Sequence, residues 1–227
     1  MIISIDGPTA SGKSTVARLL AKELNFYYLN TGFLYRAVAY LLINHCSYKD
    51  ENLRNPDPID LDTYLDPNRL IYDYDKDYKE QIIFDGQNIT PFLKTSFIDK
   101  GASIVSTNKL VRSLLLQVQR VAAQKFDIVA EGRDIGSVVF PEADIKFYLT
   151  ASVNTRAERW RSDQEQKGNK FSFDEAVNIV KDRDKRDRER EISPLVIPDN
   201  AIVIDNTDLD IKQMLQKFLD FIKQQKK

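Results

Sequence analysis

The sequence predicts an α/β fold with a central parallel sheet of five strands flanked by helices, and three observations carry that prediction. Short runs rich in apolar residues occur at residues 1–5, 26–29, 127–130, 144–149 and 201–205, the first of them without alternation, the pattern of a strand covered on both faces. Segments of helical periodicity separate them, the alternation that a parallel sheet needs for its crossovers. A glycine-containing loop lies directly between the first apolar run and the first helical pattern.

Each element follows from its local pattern. After Ser14 the residues Val16, Leu19, Leu20 and Leu24 recur at helical spacing, helped by Ala17 and Ala21, and a second helical pattern covers 31–44. Residues 47–66 are polar and acidic, interrupted by Pro56 and Pro58, and read as a surface connection. Between Leu70 and Ile89 the β-formers Ile71, Tyr72, Tyr74, Ile82, Ile83 and Phe84, with the turn signal Asp85-Gly86, predict a small antiparallel insert. Residues 93–124 are mostly helical in pattern. Two further helices are expected at 153–166 and 173–190, the second closed by Pro194 and Pro198. Ile211, Leu215, Phe218, Leu219 and Ile222 form the apolar face of a last helix.

Bulk properties exclude several classes of function. No run of about 18 apolar residues exists to span a bilayer, and the first residues lack the charged start, apolar middle and cleavage site of a secretory signal, so a cytoplasmic protein is expected. Cys46 is the only cysteine, which rules out an intrachain disulfide and a thiolate metal cluster. His45 beside it cannot aim at the same metal from a helix. A net charge of −1 gives no general electrostatic case for nucleic acid or membrane as a partner.

The strongest chemical signal is Gly7-Pro8-Thr9-Ala10-Ser11-Gly12-Lys13-Ser14, which fits GxxxxGK[ST] at every constrained position and in the required strand–loop–helix context. Glycines let backbone N–H groups turn inward around an anion, and the helix N-terminus adds partial positive charge. Lys13 reaches the transferring phosphates, and the Ser14 hydroxyl can ligate Mg²⁺. The bland alternative is a chance glycine turn at a strand–helix junction. ATP with Mg²⁺ is the expected ligand.

The loop alone does not separate a small-molecule kinase from a nucleotide switch or a translocating ATPase. A phosphate-ester acceptor calls for guanidinium groups at strand ends and on a flap. Candidates are Arg36 in Asn30-Thr31-Gly32-Phe33-Leu34-Tyr35-Arg36, Arg112, Arg133 in Glu131-Gly132-Arg133-Asp134, and the run from Arg183 to Arg190. Helical geometry puts Arg183, Arg186, Asp187 and Arg190 on one face, with Lys185 and Arg188 pointing away. That face suits an anion, or equally a solvated surface laced by pairs such as Asp182–Arg186 and Asp184–Arg188. The Glu131 to Asp134 loop follows a strand, where open α/β sheets bind ligands.

The phosphate loop, the TGxxYR segment, GRDIGxVVFP from Gly132 to Pro141 and RDxRDxxR from Arg183 to Arg190 together resemble bacterial cytidylate kinases, in the same order over nearly the whole chain. The resemblance implies a P-loop kinase fold, with residues 1–65 and 101–227 as the core, 155–192 as a helical lid and 66–100 as a small α+β CMP-binding insert. It implies transfer of the ATP γ-phosphoryl group to CMP or dCMP by a monomer. By position, ATP would lie on the loop from Gly7 to Thr15, with Arg156 and Arg159 near it. Arg36 and Arg133 would grip the CMP phosphate. Thr31 falls in the substrate-binding TGxxYR segment, and Ser103, Arg112 and Asp134 would read cytosine. Arg183 and Asp187 would meet the ribose end, and Arg190 would swing over the phosphates.

That cytosine set is chemically apt, because the exocyclic amine wants an acceptor and O2 and N3 want donors. Two departures from the family pattern stand out. Asn30 replaces the usual Asp, and Lys94 stands where an Ile-Arg pair is usual. Competing classes are weaker: a GTPase lacks its guanine reader, since Asn108-Lys109-Leu110-Val111 has no Asp. Within the kinases, UMP, AMP or a non-nucleotide acceptor such as shikimate stays open.

Overall fold

The computed structural model describes residues 1–75 and 79–225. Strands β1 (Ile2–Asp6) and β2 (Tyr27–Asn30) bracket helix α1 (Lys13–Leu24). Helices α2 (Thr31–Cys46) and α3 (Pro58–Tyr64) lead to strands β3 (Leu70–Tyr74), β4 (Glu80–Phe84) and β5 (Gln87–Asn88). Helices α4 (Ser96–Val105) and α5 (Lys109–Gln124) precede β6 (Ile128–Gly132) and β7 (Ile145–Thr150). Then come α6 (Val153–Gln166), α7 (Phe173–Glu189), β8 (Ile202–Asp205) and α8 (Ile211–Gln225). The chain divides into two compact units, Met1–Tyr28 with Asp127–Lys227, and Leu29–Phe126.

The first unit is built on the expected five-stranded sheet, in the order β2-β6-β1-β7-β8. Strand β1 runs parallel to both β6 and β7, and β7 parallel to β8. In this order the chain passes from β1 to β2 on one side and from β6 to β7 on the other, so the connections reverse between β1 and β6, the position at which open α/β sheets hold ligands. Ile3 and Ile5 of β1, Val16, Ala17 and Leu20 of α1 and Met214, Phe218 and Ile222 of α8 close one core. The Phe147 and Phe218 rings meet at 4.4 Å within it. Full burial of one such ring contributes about 1.5–3 kcal/mol. Helix α7 begins at a capping box, with the Ser172 hydroxyl accepting from the Glu175 amide and Glu175 reaching back to the Ser172 amide. Ala176 and Val180 seat α7 on Ala157 and Trp160 of α6.

The second unit packs α2 against α4, where Gly101 permits the close approach. A Cβ at that position would sit 3.1 Å from the Ala39 Cβ and 3.4 Å from Ile43 and Leu53 side-chain carbons. Strands β3, β4 and β5 form an antiparallel sheet. Asp85 (φ 47°) and Gly86 (φ 78°) make the two-residue turn between β4 and β5, both in the left-handed region that such a turn demands. The insert expected at 66–100 lies inside this unit, which extends beyond it on both sides. Residues 76–78 of that insert lie outside the described residues.

Residues 47–66 correct the reading of a bare surface connection. Pro58 starts a helix rather than breaking one, because a first-turn proline lacks only an amide that would have no partner there. The Asp57 carboxylate caps the same turn through the Ile59 amide at 2.8 Å. Leu53, Leu61 and Leu65 from this segment are all buried.

Candidate active site

The phosphate loop joins β1 to α1 in the first unit, and its backbone is contorted as an anion cradle requires. Gly7 (φ 152°), Ala10 (φ 57°) and Gly12 (φ 92°) all carry positive φ, the alternation that turns successive N–H groups to one side. Gly7 is sterically obligatory: a Cβ there would lie 2.0 Å from the Leu149 carbonyl oxygen. Gly7→Ala is expected to cost about 3 kcal/mol or more in denaturant unfolding, since backbone rather than a flexible side chain must yield.

Lys13 is buried, and its ammonium lies on the loop itself, donating to the Pro8 carbonyl at 2.7 Å and to the Ser11 hydroxyl at 3.2 Å. Burial, with the Arg133 guanidinium adding to it, depresses its pKa to about 7 against the pull of Glu131, Asp187 and Asp6. Ser14, in the first turn of α1, donates to Glu131 Oε1 at 2.8 Å, and the Tyr28 hydroxyl donates to the same oxygen at 3.2 Å. With its proton committed to Glu131, the Ser14 oxygen presents lone pairs to a cation, with a carboxylate close behind. This fits Mg²⁺, which takes few protein ligands beside phosphates and water. Thr15 follows on the exposed side of the same turn.

Charged side chains from β1, the segment after β6 and α7 lie near this loop. Asp6, at the end of β1, is fully buried and accepts from the Ile135 and Gly136 amides, both at 2.7 Å, so it fixes the tight π-turn Ile135–Val139 that follows Arg133 and Asp134. Burial raises its pKa to about 6, and the Asp134 charge acts in the same direction, against the two amides and Lys13. Arg133 pairs through Nε with Asp187 of α7 at 2.7 Å and donates from Nη2 to the Thr9 hydroxyl at 3.3 Å. Burial pushes the Asp187 carboxyl up, but Arg133, Arg190 and Arg183 outweigh it and hold the group below the usual carboxylate range. Arg190 caps the end of α7 and approaches Asp134 Oδ1 at 3.5 Å.

Helix α6 contributes two further candidate arginines. Arg156 is buried and donates to the Ala151 and Thr9 carbonyls, each at 3.0 Å, while pairing with Asp184 at 2.6 Å. Arg159 donates to the Asn206 side chain at 3.0 Å and to its carbonyl at 3.1 Å. The Asn206 amide donates in turn to the Ser11 carbonyl at 2.8 Å. The one-face argument for α7 needs one adjustment. The seat set by Ala176 and Val180 points Asp184 inward, with Arg183 and Asp187 half-buried beside it, whereas Arg186 is exposed.

In the second unit Thr31 begins α2, and Asn30 caps that helix by accepting from the Gly32 amide at 3.0 Å. An asparagine oxygen performs this capping as an aspartate would, so the departure at Asn30 leaves the helix start intact. Arg36, in the second turn of α2, pairs with Asp99 of α4 at 2.8 Å. The Arg36 guanidinium and the Lys94 ammonium lie over the Phe33 ring, at 5.8 and 6.0 Å from its centroid. Ser103 stands one turn beyond Asp99 on α4 and is half-buried. Arg112 of α5 is 7% exposed, donates to the Ser106 carbonyl at 3.0 Å and stacks over Tyr35 at 5.4 Å. The expected site residues thus fall into two groups: the phosphate loop with Arg133, Asp134, Arg156, Arg159, Arg183, Asp187 and Arg190, and Thr31, Arg36, Ser103 and Arg112. Sequence reasoning missed Asp6, Asp99, Asp184 and Asn206 as partners of these groups.

Comparison with known proteins identifies the family. The family model described as cytidylate kinase matches residues 3–224. A cytidylate kinase of Thermodesulfovibrio yellowstonii is 41% identical over 94% of each chain, and one of Carboxydothermus hydrogenoformans is 40% identical over 98% of this chain and 97% of its own. A shikimate kinase structure from Bacteroides thetaiotaomicron, 11% identical, superposes over 98% of each chain with a TM-score of 0.50, a likeness of fold. Among the described residues no helix is long and apolar enough to cross a membrane. The matched family model and full-length relatives, together with a complete phosphate loop and the arginine-bearing motifs, establish that the chain belongs to the cytidylate kinase family.

Proposed function

We propose that the protein transfers the γ-phosphoryl group of ATP to CMP or dCMP, giving ADP and CDP or dCDP, as a monomeric enzyme of pyrimidine nucleotide metabolism in the cytoplasm. The observation that carries this reading is the buried Lys13 seated in a complete phosphate loop, in a chain of the cytidylate kinase family. The loop amides and Lys13 hold the ATP phosphates, and Lys13 follows the transferring group. Ser14, backed by Glu131, is the protein ligand for Mg²⁺, which would neutralise charge on the phosphates.

Each site residue has a role on this reading. Arg36 and Arg133 hold the acceptor phosphate, with Thr31 at the start of α2. Ser103 and Arg112 donate to cytosine O2 and N3, and Asp134 accepts from its amine. Arg183 and Asp187 act at the ribose end, while Arg190 stabilises charge in transfer. Arg156 and Arg159 support the ATP side, and the contacts of Arg156 with the Thr9 carbonyl and of Arg159 with Asn206, whose amide donates to the Ser11 carbonyl, favour an effect exerted through the loop. No general base is needed, since the acceptor is already a phosphate oxygen anion. Catalysis is positional and electrostatic.

A coupled ADP-release assay with CMP, dCMP, UMP, dUMP or AMP tests the reading. Turnover with CMP and dCMP far above the other acceptors is expected, and hydrolysis without acceptor at least about 10²-fold slower, because a closed site excludes water. ADP release indifferent to every acceptor would sink it.

A further inference from the structure

Thr9 is held by more charged groups than a loop residue needs for its own conformation. Its amide donates to Asp184 Oδ1 at 3.0 Å, its carbonyl accepts from Arg156 at 3.0 Å, and its hydroxyl accepts from Arg133 at 3.3 Å. Asp184 and Arg156 pair at 2.6 Å with side chains only 8% and 4% exposed, so this is no solvated surface pair. One turn beyond Asp184 on α7, Asp187 takes Arg133 at 2.7 Å. The contacts close a ring running from Thr9 to Asp184, along one turn of α7 to Asp187, across to Arg133 and back to Thr9. Two consequences follow. The Thr9 amide, committed to Asp184, is withheld from any bound phosphate, so the cradle consists of the amides after it. The same ring ties the loop at Thr9 to α7, the helix that bears Arg183 and has Arg190 at its C-terminal cap.

We propose that Asp184, with Arg156, is a positioning residue that couples the phosphate loop to helix α7, so that ATP on the loop sets the placement of the arginines at the end of that helix; the proposal rests on the kinase reading above. Neither side chain needs to touch a substrate. A buried pair with both partners engaged transmits displacement because it has no solvated alternative, and breaking one member leaves an uncompensated charge.

The test uses Asp184→Asn and the double variant Arg156→Met with Asp184→Leu, which removes both charges together and so avoids a lone buried one. The ratio of CMP-independent ATP hydrolysis to phosphoryl transfer is expected to rise at least tenfold in both, with a fall in kcat larger than any change in the KM for ATP. Hydrogen exchange gives a readout independent of turnover. In the unaltered protein, ATP should slow exchange in the second half of α7 as well as in the loop; in the variants only the loop should respond. Variants that lose thermal stability but keep both the wild-type ratio and the ATP response of α7 would overturn the coupling and leave a structural pair. Should the unaltered protein fail to phosphorylate CMP while ATP still protects α7, the kinase reading falls and the coupling stands.

Discussion

Replacing Lys13 by methionine is expected to lower kcat by about 10²- to 10³-fold, the usual loss when one preorganised donor is taken from a developing charge. The ionisation of Lys13 adds a second signature. Lys13 sits at a pKa of about 7, chiefly because it is buried. Phosphate groups arriving on the loop would restore its charge, so ATP binding should take up a proton in the window between about 7 and the ordinary lysine value. At pH 8, above the value for the ATP-free protein, ATP binding should take up a measurable fraction of a proton, and the uptake should shrink as the pH falls below about 7. Calorimetry in buffers of different ionisation enthalpy measures this directly, and Lys13→Met should abolish it.

The sign for stability runs the same way. A depressed folded-state pKa means that folding releases a proton, so the empty protein gains stability as pH rises from about 7 towards 10.5, and saturating ATP should flatten that gain. Binding without proton uptake would mean that the ammonium is already charged in the empty loop.

What the sequence made legible was local. The five strands announce themselves as short runs rich in apolar residues, and the phosphate loop is a spacing rule within eight residues. The Asp85-Gly86 turn follows from the φ values that only such a pair tolerates well. The polar partners of the site are different in kind. Asp6 meets the Ile135 amide 129 residues away, Asp184 meets Thr9 across 175, and Asn206 meets Ser11 across 195. No periodicity carries such pairings, because they arise only when the segments that follow β1, β6, β7 and β8 are brought together. One signal was nonetheless available. Ala176 and Val180 set the seat of α7, and the next position at that spacing is Asp184, so a helix read from its apolar residues puts that carboxylate inward and Arg186 outward. Segment 47–66 misled for the opposite reason. Its buried leucines are too sparse to register against a polar background, and Pro58 looks like a breaker unless it is read as a first-turn residue.

Asp134→Asn should lower kcat/KM for CMP and dCMP by about 10²-fold or more, since a pocket built around one acceptor leaves the cytosine amine poorly matched when that acceptor changes. The interpretation turns on a second contact, because Asp134 also faces Arg190 at 3.5 Å and lies close enough to Asp6 to affect its ionisation. A loss caused only by a displaced Arg190 would weaken transfer to every acceptor alike and leave the ratio of CMP to UMP rates unchanged. It would also be reproduced by Arg190→Ala. A loss caused by base reading behaves otherwise, because the asparagine amide can donate to the oxygen that uracil presents where cytosine has its amine. The CMP to UMP ratio should then fall by at least about tenfold in Asp134→Asn while staying fixed in Arg190→Ala. Measuring both ratios on both variants separates the two roles. An unchanged ratio in Asp134→Asn would remove Asp134 from the cytosine set and reduce it to the partner of Arg190.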